Sequence, residues 1–165
     1  MPRYSRKVSS GTEVPERSTG DLPAELTCRL GYLLKHAQQL LSESTTVALE
    51  PFRISGRELA VLTLLAAGAP LSQQEAARRL SIDRTTMVAM VDALEDKALV
   101  ARHADPTDRR RNLVEVTDTG QAALRDATNR VDEVERDFLA SLDERDGQRL
   151  REMLSLLVLG NVTTD

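Results

Sequence analysis

The segment from Ser72 to Asp96 constrains the fold most strongly, because it predicts two helices joined by a very short turn. Its first four residues, "SQQE", match a capping box, in which a serine and a glutamate three positions later begin a helix. Three residues, "SID", separate Leu80 from the following helix, "RTTMVAMVDALEDKA". Asp83 is a suitable N-cap for that second helix, because its carboxylate can accept a hydrogen bond from an unpaired backbone N–H.

A two-stranded hairpin is predicted directly after the second helix. The stretches "LVARHA" and "RNLVEVT" are rich in β-branched and apolar residues, and the polar residues 105–110 lie between them. Two closely spaced helices followed by a hairpin are typical of a winged helix-turn-helix. We therefore predict a mainly α-helical fold with a small β-hairpin wing.

Helices are also predicted on both sides of this unit. "Ser55-Gly-Arg-Glu58" is a further capping box, and the helix "ELAVLTLLAA" is apolar almost all round, which predicts a central place in the core. Thr117 can cap another helix, with Gly120 in its first turn, and residues 118–159 predict two helices. An earlier long helix carries one apolar stripe, which consists of Leu26, Leu30, Leu33, Leu34, Ala37, Leu40 and Leu41.

Residues 1–20 are rich in Ser, Pro, Gly and charge, and we predict a disordered arm there. An alternative is that this arm contacts DNA phosphates through its basic residues, which are Arg3, Arg6 and Lys7.

The composition limits the kinds of site that the chain can carry. Aromatic residues make up 2% of the chain, so the core must consist of Leu, Val, Ala and Met, and stacking platforms for single-stranded nucleic acid are excluded. The single cysteine, Cys28, allows no disulfide within one chain. Two histidines are too few for a transition-metal site, and we predict no metal and no cofactor.

Charge is distributed unevenly along a chain whose net charge is -4. Residues 78–111 contain 8 Lys or Arg and 6 Asp or Glu, so the basic residues are concentrated in the middle, which favours an anionic partner there. No apolar run has the length of a membrane span, and the first residues lack the apolar stretch of a signal peptide. We expect a cytoplasmic protein with no membrane partner.

The second helix of the predicted pair has the size that enters the major groove of B-DNA, where the hydrogen-bonding pattern distinguishes all four base pairs. Its first residues, Arg84, Thr85 and Thr86, would contact base edges. An arginine can donate two hydrogen bonds to a guanine, and a threonine offers a hydroxyl or a methyl contact to thymine. Ser72, at the start of the preceding helix, is also assigned to the predicted DNA-binding set.

The tip of the predicted wing contains three consecutive arginines, Arg109, Arg110 and Arg111. Arginine is attracted by the negative potential of the minor groove, so this tip can reach the groove beside the one that the helix occupies. Asp108 can pair with an arginine and shape the wing, and Pro106 stiffens the turn.

The segment "LSIDRTTMVAMVDALEDKALVARHADPTDRRRNLVEVTDTG" resembles the multiple antibiotic resistance regulator (MarR) family of winged-helix repressors. The spacing of Asp105-Pro106, Asp108-Arg109-Arg110 and Thr117-Asp-Thr-Gly120 carries the resemblance, and "LGYLLKHA" at 30–37 is similar to the first helix of the family. The similarity covers about residues 22–160 of the chain.

The resemblance implies a homodimer that binds a pseudo-palindromic operator. It implies that residues 21–54 and 117–165 form a helical dimerisation region, and that residues 55–116 form the DNA-binding lobe. It also implies that Arg110 is the wing arginine that enters the minor groove, with Arg109 in support and Asp108 as its ion-pair partner.

Two positions depart from the family pattern. Ala98 stands where the family usually has glycine, which suits a helix end with positive φ, so we expect a different exit from the helix or mild strain. Ala89 stands where many members carry a polar or basic residue, so the set of residues that reads bases is smaller here.

Many members of the family bind small, often aromatic, acids, and the ligand shifts the dimer away from the spacing that DNA requires. In this chain Arg29, Tyr32 and His36 fall at helical spacings, and we assign them to a candidate effector site. The arginine could hold a carboxylate, and the other two could hold a hydroxyl. The alternative is that the three are ordinary surface residues.

Three other functions stay open on the sequence. Cys28 is followed by Arg29, which could lower the pKa of its thiol, so a cysteine-based redox-sensing repressor is one alternative. A winged helix that binds proteins instead of DNA is another, although it would not need the arginines of the wing tip. An enzyme is the third, but we find no phosphate loop and no GxSxG motif, and we predict that the chain is not an enzyme.

Overall fold

The computed structural model describes residues 23–106 and 112–160. The chain divides into two compact units, Met1–His36 and Ala37–Asp165, and the division falls within a long helix. The predicted DNA-binding lobe, residues 55–116, lies entirely within the second unit.

The first unit begins with two helices, where the sequence pattern predicted one. A short helix, α1 (Ala24–Thr27), ends before Cys28, and α2 (Leu30–Leu49) begins two residues later. At the break, the backbone N–H of Arg29 bonds to the carbonyl oxygen of Leu26 at 3.1 Å, three residues earlier, and the regular α2 pattern begins with the bond from the N–H of Leu33 to the carbonyl oxygen of Arg29 at 3.0 Å. The predicted apolar stripe therefore starts in α1 and continues along α2.

The second unit contains the four helices that were predicted from capping residues and the last helix, which was predicted from its sequence pattern. They are α3 (Gly56–Ala66), α4 (Gln73–Arg79), α5 (Arg84–Asp96), α6 (Asp118–Leu139) and α7 (Glu144–Leu159). Ser55 and Glu58 form the predicted capping box at α3, and Asp83 and Thr117 cap α5 and α6 through their side-chain oxygens. These caps satisfy backbone donors that have no partner inside the helix.

The predicted hairpin consists of β2 (Val100–Ala104) and β3 (Asn112–Val116), which pair antiparallel with Arg102 opposite Val114. A third, two-residue strand, β1 (Leu71–Ser72), pairs antiparallel with β3 and gives the order β1-β3-β2. This strand was not predicted. It attaches the start of α4 to the hairpin.

The core of the second unit is aliphatic, as the composition predicts. Leu49, Val61, Leu62, Met87, Val91, Leu94, Val100 and Val114 are its largest fully buried side chains. Helix α3 packs against α6, α4 and β3, and it supplies Val61, Leu62 and Leu65 to the core, which confirms its predicted central place.

The helices on either side of the winged unit leave many large apolar side chains exposed. On α2 the exposed residues are Leu30, Leu33, Leu34, Leu40 and Val47, and on α7 they are Met153, Leu154, Leu156, Leu157, Val158 and Leu159. Clusters of this kind mark surfaces that bind another apolar surface. Within the described ranges, no helix combines the length and the apolar character that crossing a membrane requires.

Candidate DNA-binding site

The first turn of α5 presents two of the predicted base-reading residues to solvent. Arg84 and Thr85 are exposed, and Arg84 makes no ion pair with another residue that the structure describes. Thr86 is half-buried, and its backbone N–H donates to Asp83 Oδ1 at 2.9 Å. Hydrogen bonds from the Thr86 side chain and backbone hold the pKa of the Asp83 carboxyl below its usual range. Thr86 is thus part of the helix cap, whereas the side chains of Arg84 and Thr85 are exposed to solvent.

The turn that joins α4 to α5 depends on one left-handed residue. Ser81 has φ 52°, which allows the N–H of Ile82 to bond to the carbonyl oxygen of Ala77 at 2.9 Å. This closes α4 with a Schellman-type arrangement and lets α5 begin three residues later. Ser72, at the other end of α4, is buried and accepts a hydrogen bond from the N–H of Glu75 at 3.2 Å. The structure gives Ser72 a capping position, and its contact with DNA stays a prediction.

The end of α5 keeps the glycine-type conformation although alanine occupies the position. Ala98 has φ 56°, and Leu99 N bonds to the carbonyl oxygen of Leu94 at 2.9 Å. These are the features of a Schellman motif, in which a residue with a side chain costs free energy that glycine would not. Of the two expectations for this position, the structure therefore favours strain over a different exit from the helix.

Arg102 on β2 connects the hairpin to α5, a connection that could not be read from the sequence. Its guanidinium pairs with Asp92 through Nη2 and with Glu95 through Nη1, and its backbone N–H donates to Glu95 Oε1 at 3.2 Å. The side-chain amide of Gln73 on α4, with its oxygen turned to Arg102, also accepts from Nε at 3.1 Å. Burial would lower the pKa of Arg102, but the bonds to the two carboxylates raise it above its ordinary value.

Lys97 provides a second connection, between the end of α5 and the start of α3. Its Nζ lies 2.6 Å from Glu58 Oε1, and Glu58 Oε2 accepts from the N–H of Ser55 at 2.7 Å. Burial raises the pKa of Glu58, but the bonds from Lys97 and Ser55 outweigh this effect and hold the pKa below its ordinary value. The carboxylate is therefore charged and held in place.

The exposed end of α4 carries two arginines that share one carboxylate. Arg78 and Arg79 both bond to Glu75, with Arg79 Nε 2.7 Å from Glu75 Oε1. These bonds lower the pKa of Glu75 to about 2. The negative charge of Glu75 therefore balances one of the two positive charges that Arg78 and Arg79 carry.

An open groove of about 460 Å³ lies between the start of α3 and α5. Ala89 and Ala93 line it from α5, and Arg57 lines it from α3. Ala89 is exposed, and its methyl group offers no hydrogen bond to a base. The expectation that the base-reading set is small stays a prediction.

The predicted wing tip lies outside the described residues, because Asp108, Arg109, Arg110 and Arg111 all fall between 106 and 112. Their roles stay predictions. The strands that lead to the tip are described, and on them His103 and Glu115 are exposed, with 3.8 Å between Nε2 and Oε2.

The candidate effector residues lie around the start of α2. The rings of Tyr32 and His36 stack with their centroids 3.9 Å apart, and His36 Nδ1 lies 2.8 Å from the carbonyl oxygen of Tyr32. Since a carbonyl oxygen only accepts, Nδ1 carries the hydrogen, and Nε2 of the neutral ring is an acceptor. Arg29 immediately precedes α2 and is exposed. The assignment of these three residues to an effector site stays a prediction.

Cys28 is exposed between α1 and α2, and its Sγ lies 3.5 Å from the carbonyl oxygen of Glu25. Redox sensing by this residue also stays a prediction. Across the described ranges, His, Cys, Asp and Glu side chains form no group of three or more that could hold a metal ion.

The sequence is similar to known transcriptional regulators. A family model described as MarR family matches residues 54–111. The multiple antibiotic resistance protein MarR of Escherichia coli (strain K12) is 32% identical over 108 residues, which cover 66% of this chain and 74% of that protein.

Two solved structures have the same fold. A transcriptional repressor, CouR, bound to a 23-mer DNA duplex is 37% identical, with a TM-score of 0.73 over 81% of this chain and 95% of that one. CouR from Rhodococcus jostii RHA1 bound to p-coumaroyl-CoA is 28% identical, with a TM-score of 0.69 over 80% of this chain and 93% of that one.

Proposed function

The chain belongs to the MarR family of transcriptional regulators, and on this premise we propose that it binds a pseudo-palindromic operator as a homodimer and represses transcription. The observation that carries the proposal is the exposed first turn of α5, where Arg84 and Thr85 face solvent beside a two-stranded hairpin. An exposed helix start of this kind is what a base-reading helix requires. The repressor CouR, of the same fold, has been solved with DNA.

The proposal divides the DNA contacts between two grooves. Arg84 and Thr85 would read base edges in the major groove, with Thr86 and Ser72 near the phosphates. The wing arginines, Arg109 and Arg110, would enter the adjacent minor groove, with Asp108 shaping the tip. Operator-bound protein would act in the cytoplasm.

Dimer formation would cover the exposed apolar residues of α2 and α7. A second copy is the occupant we propose, because exposing side chains such as Leu156 (73% exposed) and Leu30 (65% exposed) to water costs free energy, and burial against an equivalent apolar surface removes that cost. Two copies would also present two α5 helices, which matches a palindromic site.

An effector would release the operator. CouR is solved with p-coumaroyl-CoA, an aromatic acyl thioester, which favours an aromatic ligand here as well. Arg29 would hold an anionic group, and the Tyr32 hydroxyl and His36 Nε2 would bind a phenolic hydroxyl.

The test is selection of duplexes from a random DNA pool by the purified full chain, followed by titration of the best duplex and a scrambled duplex at two salt concentrations. We expect a recovered site with two-fold symmetry, two chains per duplex, and weaker binding at the higher salt concentration. The proposal is wrong if no duplex is preferred, and the absence of salt-dependent binding to any duplex would favour a winged helix that binds proteins.

A further inference from the structure

We propose that Arg102 is a positioning residue, which sets the orientation of α5 relative to the wing strands and thereby the preference of the chain for its operator over other DNA. The inference rests on the proposed function. Arg102 itself makes no assigned DNA contact and acts through Asp92 and Glu95 on α5.

The contacts of Arg102 are arranged to fix two elements in both position and angle. Asp92 and Glu95 are three residues apart, so they lie on one side of α5 and receive the two ends of one planar guanidinium. Glu95 accepts from the backbone N–H of Arg102 as well, which fixes the strand itself and not only its side chain. A planar fork held at both ends resists rotation of the helix.

The cation of these ion pairs is largely buried, whereas the side chains of Asp92 and Glu95 are 55% and 39% exposed. The Arg102 side chain is 21% exposed, whereas Arg130, which pairs with Glu133 on α6, is 56% exposed. Pairs between exposed side chains contribute little, because water screens the charges and both side chains lose freedom. Arg102 also contacts the amide of Gln73, so the link reaches α4.

The ion pairs of Arg102 lie between α5 and the wing strands, the two parts of the chain that would contact DNA. Arg84 is at one end of α5, and Asp92 and Glu95 are two and three turns further along the same helix. The backbone of Arg102 belongs to β2, which leads into the wing tip. A change in the angle between α5 and the wing would move Arg84 relative to base edges, where hydrogen bonds depend steeply on geometry. Phosphate contacts tolerate such a change better and carry no sequence information directly.

Arg102 has a second effect, which the experiment must separate from the first. Its single positive charge offsets one of the two negative charges of Asp92 and Glu95, which would otherwise repel all DNA alike. Arg102→Lys retains the charge but lacks the fork, so it tests orientation. Arg102→Met combined with Asp92→Asn and Glu95→Gln removes both the fork and the repelling charges.

The experiment measures binding of the best selected duplex and of a scrambled duplex by wild type, by Arg102→Lys and by the triple variant. All titrations are made well below each variant's thermal midpoint, which is measured in parallel. For both variants we expect scrambled-duplex affinity within about twofold of wild type and selected-duplex affinity about tenfold weaker. Arg130→Met is the matched control, and it should leave both affinities unchanged.

If Arg102→Lys has the same ratio of selected-duplex to scrambled-duplex affinity as wild type, the inference is wrong and the proposed function is unaffected. The inference is also wrong if the triple variant has the wild-type ratio of selected-duplex to scrambled-duplex affinity. Arg102 would then act only by balancing the charges of Asp92 and Glu95. If the wild-type chain prefers no duplex at all, the proposed function fails and the inference fails with it.

Discussion

Gly120 lies so close to the backbone of Leu99 that a Cβ added to it would stand 1.9 Å from the Leu99 carbonyl oxygen. The same carbonyl accepts a hydrogen bond from the N–H of Thr117 at 3.1 Å, and Thr117 Oγ1 donates to the carbonyl oxygen of Ala98 at 2.7 Å. The start of α6 is thus attached to the residues that end α5. The spacing of Thr117 and Gly120, which contributes to the family resemblance, has a physical reason.

Gly120→Ala should destabilise the fold by about 3 kcal/mol, because the new methyl group meets backbone atoms that cannot move aside. Urea denaturation followed by circular dichroism measures the change. Gly31→Ala is the control, since nothing lies within 4 Å of that position, and it should be neutral or slightly stabilising. Equal small effects in the two variants would mean that the close approach is absent in solution.

Ala98→Gly should stabilise the fold by about 1 kcal/mol, because glycine adopts the positive φ of this position without steric cost. Ala93→Gly, in the interior of α5, is the matched control and should cost about 1 kcal/mol. The measurement is the same denaturation. A loss of stability in both variants would contradict the assigned backbone conformation.

Lys97→Met should destabilise the fold by about 1–3 kcal/mol at neutral pH, because it leaves the buried Glu58 carboxylate without its cation. The folded pKa of Glu58 lies below its ordinary, unfolded value, so the contribution of the ion pair is fully present above the unfolded pKa and is lost as the pH falls through the folded pKa. The difference between variant and wild type should therefore shrink in acid. Unfolding at several pH values tests this, with Glu133→Gln, in an exposed pair, expected to change little. A difference independent of pH would argue against the ion pair.

Arg84→Ala should weaken binding to the selected duplex by about 1–3 kcal/mol and relax the preference at one base position of each half-site. Thermal stability should not change, because Arg84 is exposed. Repeating the selection with the variant measures the preference. Arg125→Ala, on the exposed surface of α6, is the control. An unchanged selected sequence would remove Arg84 from the base-reading set.

Binding of p-coumaroyl-CoA and a panel of aromatic carboxylic acids should raise the thermal midpoint of the wild-type chain and weaken its binding to the selected duplex. At a hundredfold excess over Kd the gain is about 2.7 kcal/mol. Arg29→Ala should lose the response to acids, and Tyr32→Phe should lose the response to phenols alone. Lys35→Ala, an exposed neighbour on α2, should respond as wild type does. An equal response in Arg29→Ala would place the effector elsewhere.

Capping residues made most of the helix starts predictable. Ser55, Asp83 and Thr117 bond to backbone N–H groups three residues away, so a short stretch of sequence contains the whole interaction. The strand β1 could not be predicted in this way, because its two residues form a strand only through pairing with β3, about forty positions later.

In the candidate site too, some features follow from the local sequence and others depend on contacts that form only in the folded chain. Exposure of Arg84 and Thr85 follows from their place in the first turn of an amphipathic helix, which sequence periodicity indicates. The role of Arg102 depends on partners from α4 and α5 that meet only in the folded chain, and in the sequence it is one arginine in a strand. Ala98 could be predicted in part. The sequence shows that alanine stands where glycine is usual, but it does not show whether the backbone retains the conformation that glycine prefers.

The contact between α6 and the end of α5 has a mechanical consequence. Thr117 bonds to both Ala98 and Leu99, and the absence of a side chain at Gly120 lets the first turn of α6 approach the Leu99 carbonyl oxygen closely. The start of α6 is therefore fastened to residues 98–99, which connect α5 to β2. We expect a tilt of α6 to displace this connection, and through it α5, the helix that we propose reads bases.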